Sequence, residues 1–142
     1  AVFSAMPIGT FTKVYDINLA RSYMDENTCC IFSGGTGHPY FSTDSGSALR
    51  AVEVGCDVLI KATKVDGIYD SDPIKNKNAH KFSEITYEEV LIKKLGVMDL
   101  VAITLCRDNK LPLKVLSLND SGVLLKACMG EKIGTDVIED NK

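Results

Sequence analysis

The chain reads as an α/β fold built on a mainly parallel sheet, and three features of the sequence predict it. Short apolar runs, such as Val58-Leu59-Ile60 and Leu113 to Leu118, alternate with stretches whose apolar residues recur at helical spacing. A glycine-rich loop, Gly34-Gly35-Thr36-Gly37, follows one such run and precedes a helical stretch, which is the order of a βα unit. The run at Val58 opens into polar residues and a tight turn at Asp66-Gly67, then closes on Asp72-Pro73. A buried strand that releases lysine, threonine, aspartate and glycine from its carboxyl end is how open α/β sheets build ligand crevices.

Taken in order, Ala1 to Lys13 contain Pro7 and Gly9 and read as an irregular lead-in. Asp16 caps a helix through about Asn27, with Leu19, Ala20 and Tyr23 on one face. Cys29 to Phe32 reads as a buried strand that delivers the glycine loop. From Asp44 the pattern turns helical through Ala48, Leu49 and Val52, and Gly55 stands where a C-cap glycine belongs. Val58 to Ala62 is the next strand, so strand, loop, helix and strand read as a βαβ unit with parallel pairing. Lys75-Asn76-Lys77-Asn78 is too polar to pack. Thr86 with Glu89 makes a capping box for a helix ending before Gly96, and a second helix runs from about Met98 to Asp108. Leu113 to Leu118 is a third buried strand. Ser121 caps the next helix, with Val123, Leu124, Ala127 and Cys128 inward, and Thr135 to Ile138 is a short final strand. No internal repeat interrupts the alternation.

Composition narrows the class. A length of 142 residues predicts one domain, residues 1–142, with a real core. Hydrophobic content of 45% and charged content of 25% are those of an ordinary globular chain. A net charge of −3 gives no reason to expect nucleic acid or an anionic membrane as partner. No apolar run approaches the roughly 20 residues of a membrane span. Five cysteines occur without CxxC spacing, and four lie in apolar periodic segments, so buried reduced thiols in a cytosol-like compartment are expected. The chain opens at Ala1 rather than methionine and carries no signal-peptide pattern, so a removed or separate upstream segment is expected.

Two loops carry the chemistry. In the first, glycines let a backbone approach a ligand closely, and successive amides can form an anion-binding concavity. The helix N-terminus behind it favours a phosphate further. Thr36, Ser42 and Thr43 add hydroxyl donors, and Tyr40 and Phe41 add aromatic surface that can lie beside a base. No Lys-Ser/Thr follows the glycines, so this is not a Walker A loop. Asp44 has two compatible readings, an N-cap on its helix and a carboxylate held near transferring phosphates. Lys61 is a strand-end lysine facing solvent or a phosphate. His38 reads as a surface or ligand-touching residue rather than a metal ligand, the other histidine being the distant His80. Asp99 in the first turn of its helix is favoured by the macrodipole whatever else it does.

The run GGTGHPYFSTDSGSALRAVEVGCDVLIKATKVDGIYDSDP, with Val97-Met98-Asp99, Arg107-Asp108 and the terminal Met129 to Thr135, resembles uridylate kinase of the bacterial type, within the amino acid kinase superfamily. The similarity runs from about Ser4-Ala5 to Gly134-Thr135. It implies a three-layer αβα sandwich and transfer of the γ-phosphoryl of ATP to UMP, giving UDP for pyrimidine nucleotide biosynthesis, with Mg2+. By the same resemblance Thr36, Gly37, His38, Pro39, Tyr40, Phe41, Ser42 and Thr43 wrap the UMP, while Thr63, Tyr69 and Asp72 contact ATP. Asp44 would organise the reacting phosphates, with Asp99 close by. The resemblance further implies a hexamer built from dimers, regulation by GTP and UTP, and a cytoplasmic location (organellar if the source bears plastids).

Two departures stand out. His38 takes the place of the family's common asparagine. The family also carries a lysine-bearing glycine loop and an acidic ribose contact in an N-terminal half, whereas here only Gly9 precedes Gly34. The chain therefore reads as the C-terminal part of such an enzyme, incomplete as a kinase alone. Two other readings stay open: a non-catalytic nucleotide-binding or oligomer-forming fragment, and a phosphotransferase acting on a carboxylate or carbamate. Tyr40-Phe41 with Ser42-Thr43 speak against the last.

Overall fold

A computed structural model of the chain describes residues 1–119 and 121–140. Their contacts gather into two compact units, Ala1–Cys56 and Asp57–Lys142.

Unit 1 holds strands β1 (Val2–Ser4), β2 (Lys13–Val14) and β3 (Ile31–Ser33) with helices α1 (Ile17–Asp25) and α2 (Thr43–Val54). The strands are all parallel in the order β2-β1-β3. The lead-in is thus corrected, because Val2–Ser4 forms the central strand. Phe3 is fully buried there, stacked on Phe32 at 5.7 Å with Tyr23 edge-on at 5.9 Å. A three-residue strand has no period to read, and Pro7 and Gly9 drew the whole segment into a loop. Strand β3 begins at Ile31 rather than Cys29 and lies at a sheet edge, so Ile31 is exposed instead of buried. Asp16 caps α1 as expected, its carboxylate accepting from Leu19 N–H at 2.8 Å.

Helix α2 is capped two residues before the expected position. Ser42 is the N-cap, with its hydroxyl accepting from Ser45 N–H at 3.0 Å, and Asp44 sits in the first turn. Ser42 has the extended backbone that a cap needs, and the helix ends at Gly55 in the left-handed region, φ +76°.

Unit 2 holds β4 (Leu59–Thr63), β5 (Glu84–Thr86), α3 (Tyr87–Ile92), α4 (Leu100–Asp108), β6 (Leu113–Ser117), α5 (Val123–Cys128) and β7 (Thr135–Ile138). The sheet runs β4-β6-β7-β5, with β4–β6 and β7–β5 parallel and β6–β7 antiparallel. The expected pairing of the strand before the glycine loop with the strand after α2 is not the one found. Strand β3 pairs with β1, and β4 pairs with β6. Strand β4 is an edge strand, half-buried rather than covered on both faces. The buried centre is β6, with Leu113, Val115 and Leu116 almost inaccessible.

The helices of unit 2 start largely where the sequence placed them. The Thr86–Glu89 capping box is present in both directions. Asp99 is the N-cap of α4, one step outside the expected first turn, and accepts from Ala102 N–H at 3.0 Å. Helix α5 is capped by Gly122 at φ +80° with no side-chain cap, so Ser121 does not have the expected role. Its Val123 and Ala127, four apart, pack on Leu116, and this turns Leu124 and Cys128 outward. All five cysteines are free as expected, but only Cys106 is buried. Among the described residues no helix is long and apolar enough to cross a membrane.

Candidate functional site

The glycine loop of unit 1 leaves β3 through a series of left-handed residues. Gly34, Gly35 and Gly37 have φ of +77°, +59° and +75°, and Tyr40 joins them at +72°. At Gly37 space is limiting as well, since a Cβ would stand 3.2 Å from that of Ala5. Gly46 in α2 lets the helix approach the loop, where a Cβ would lie 3.0 Å from Gly35 Cα. The loop is then closed by a Gly37 N–H to Gly34 carbonyl bond at 3.1 Å, and Thr36 Oγ1 accepts from His38 N–H at 3.1 Å.

A charged network on α2 holds this loop from behind. Arg50 donates to the Gly35 carbonyl at 3.2 Å and pairs with Glu53 at 2.7 Å. Its guanidinium lies 3.8 Å from the centre of the Tyr15 ring, and the Tyr15 hydroxyl donates to Glu53 at 2.8 Å. Burial, with Glu53 beside it, pushes the Tyr15 phenol up to about 12. Sequence reasoning missed all three residues. The only signal was the Arg50/Glu53 spacing, which suits a helical ion pair but does not reveal the carbonyl it reaches.

The side chains expected around UMP lie at the loop's outer surface. His38, Pro39, Tyr40, Phe41, Ser42 and Thr43 are exposed, with Tyr40 wholly so, while Thr36, Gly37 and Asp44 are half-buried. An open arc of amides, hydroxyls and aromatic surface over a helix N-terminus can receive a phosphate and a flat ring together.

Unit 2 contains a cavity of about 450 Å³ beside the loop that follows β4. Thr63, Tyr69 and Asp72, the three residues expected at ATP, all line it. Lys93 to Val97 line it as well; the sequence marked Gly96 as a helix stop and Val97 as part of a motif, but gave none of these five a place at the ligand. Asp66 anchors the loop: it accepts from the Tyr69 hydroxyl at 2.7 Å and from Lys81 Nζ at 2.8 Å. The Lys81 ammonium, and then Tyr69, hold the Asp66 carboxyl below its ordinary value, and Asp66 in turn raises Tyr69 and Lys81. Asp72 closes the far end by accepting from Ile74 N–H at 2.9 Å. Lys61 lies half-buried in β4, and Asp99 half-buried at the start of α4. Neither is on the cavity wall. Among the described residues no group of three His, Cys, Asp or Glu side chains is arranged to hold a metal ion.

Comparison with known proteins follows the same segments. A profile of the amino acid kinase family matches residues 7–117. The chain is 50% identical over 141 residues to the uridylate kinase of Stutzerimonas stutzeri, covering 99% of this chain and 57% of that protein. To the uridylate kinase of Acinetobacter baumannii it is 47% identical over 136 residues, covering 96% and 56%. The crystal structure of UMP kinase from Bacillus anthracis matches with a TM-score of 0.95 at 34% identity, covering 99% of this chain and 58% of that one. Uridylate kinase from Archaeoglobus fulgidus is more distant, with a TM-score of 0.69 at 29% identity, covering 94% and 61%. The chain thus spans a little over half the length of the relatives it matches.

Proposed function

We infer the function from a premise that the match over residues 7–117 establishes: the chain belongs to the amino acid kinase family. We propose that it serves a UMP kinase, with UMP held by the loop Thr36 to Thr43 and ATP held in the cavity of unit 2. The observation that carries the reading is the gathering of Thr63, Tyr69 and Asp72 around one cavity. Similarity to uridylate kinases over nearly the whole chain supports the same acceptor.

Phosphoryl transfer asks a protein mainly to position two nucleotides and balance developing charge. In this proposal the amides from Gly34 to Gly37 and the N-terminal end of α2 take the acceptor phosphate, Tyr40 or Phe41 lies against its base, and Thr36 and Thr43 donate to its polar edges. Asp44 orients the reacting groups, a role that the family resemblance alone gives it. Mg2+ travels on ATP and offsets part of the phosphate charge. A nucleotide-borne magnesium needs only one or two protein carboxylates, and Asp72, which lines the cavity, would supply one. A cytoplasmic location, a hexamer built from dimers and control by GTP and UTP belong to the same proposal, and the family resemblance alone carries them.

The test is UDP formation from ATP by the protein as its gene encodes it, with UMP and CMP compared as acceptors. The expected result is a kcat/KM for UMP higher by about 10²-fold or more, because the enclosing loop reads the base. Comparable values sink the UMP assignment. Binding of both nucleotides without turnover would favour a non-catalytic nucleotide-binding role.

A further inference from the structure

Thr135, the first residue of β7, is completely buried. Its hydroxyl accepts from the Ile68 N–H at 2.9 Å and donates to the carbonyl of Phe82. One oxygen therefore joins the loop after β4, the segment before β5 and the start of β7. A hydroxyl has a single proton, so donation to Phe82 sets its rotor and leaves a lone pair for Ile68. Gly67 makes the approach possible, since a Cβ there would lie 2.6 Å from Thr135 Oγ1. Gly67 is not among the positive-φ glycines, so space and not backbone conformation demands it.

Gly67, Ile68 and Tyr69 are consecutive along the cavity wall, and Val115 lies on it too. We infer that Thr135 is the positioning residue of this cavity: its hydroxyl fixes Gly67-Ile68 from behind and so sets where Tyr69 and Asp72 stand. It touches no ligand and acts only through the loop. The inference deepens the proposed function and rests on the reading that the cavity holds ATP.

The experiment compares steady-state kinetics of the protein as its gene encodes it with Thr135→Val, Thr135→Ser and Gly67→Ala. Valine keeps the branched shape but leaves the Ile68 N–H and the Phe82 carbonyl without their partner. It should raise KM for ATP by about tenfold or more, with KM for UMP and kcat little changed. Serine keeps the oxygen and should return KM for ATP to within about twofold of wild type. Gly67→Ala keeps the hydroxyl but crowds it, and should raise KM for ATP as valine does. A plain stability defect would lower the active fraction without separating the two KM values. Should Thr135→Val fail to fold, the other two decide: an unchanged KM for ATP in Gly67→Ala overturns the assignment. An active wild type beside an unaffected Thr135→Val overturns it as well. A wild type that neither binds ATP nor forms UDP defeats the functional reading and this assignment with it, which is a distinguishable result.

Discussion

Behind the glycine loop of unit 1 lies a guanidinium, and behind the Asp66 loop of unit 2 lies a single hydroxyl. Arg50 and Glu53 keep 13% and 29% of their side-chain surface exposed, whereas Thr135 keeps none. Water still reaches the first position, so an ion pair there keeps part of its hydration. At the second position a charge would be stripped of water on every side, and a neutral group that can both donate and accept is the cheaper fastener. The solvent left behind a loop therefore selects the chemistry that pins it. Charge can also reach around a helix to a carbonyl 15 residues away, while the hydroxyl acts only where three segments already touch.

The comparison breaks if unit 1 merely holds a ligand and does no chemistry, and Asp44 decides that. Asp44→Asn should lower kcat by about 10²-fold or more while the melting temperature barely moves. The charge's favourable placement in the first turn of α2 is itself worth on the order of 0.3–1 kcal/mol. Near wild-type turnover would reduce Asp44 to a helix-end charge.

Arg50 sharpens the comparison next. Arg50→Met removes the bond to the Gly35 carbonyl and strands Glu53 beside Tyr15, and KM for UMP should rise by about tenfold. KM for ATP should stay near wild type, the mirror image of the Thr135→Val pattern. Arg50→Lys can keep the pair with Glu53 but not the forked reach to Gly35, so it should recover stability more than KM. Equal effects on both substrates would show that the two fasteners are not separate.

The smallest effect is an ordering in alkali. Burial pushes the Cys106 thiol from 9.0 to about 11, and burial with Glu53 pushes Tyr15 from 10.0 to about 12. Both groups are held neutral, so each stabilises its unit below its unfolded pKa and loses that contribution as pH rises to the folded value. Unit 2 should begin to weaken above about pH 9, with Tyr87, also raised by burial, extending the loss, and unit 1 should begin to weaken above about 10. Amide exchange followed separately in α4 and α2 reads this order, and simultaneous loss would contradict it.

Much of this was legible because the relevant signals are local. The Thr86–Glu89 box, the Asp16 cap, the Gly55 stop and the span of β7 each depend on neighbours within a few residues. Strands β1, β2 and β5 were missed because two or three residues carry no period, and their existence depends on partners far along the chain. The cap of α2 slipped from Ser42 to Asp44 because both residue types cap well, and only backbone dihedrals separate them. At the site, glycines and the Asp66-Gly67 turn announced two loops. What holds them did not show: Thr135 and Ile68 lie 67 residues apart, and no spacing rule connects a hydroxyl to an amide at that distance.

Tyr40 has one practical consequence. It stands at positive φ with its ring entirely in water, at the tip of the arc proposed to enclose UMP. The 142 residues contain no tryptophan. An indole substituted at that position would be the sole emitter of its kind in this sequence, red-shifted while the arc is empty. Its spectrum would then follow the closing of the arc over a nucleotide in real time, with no label attached.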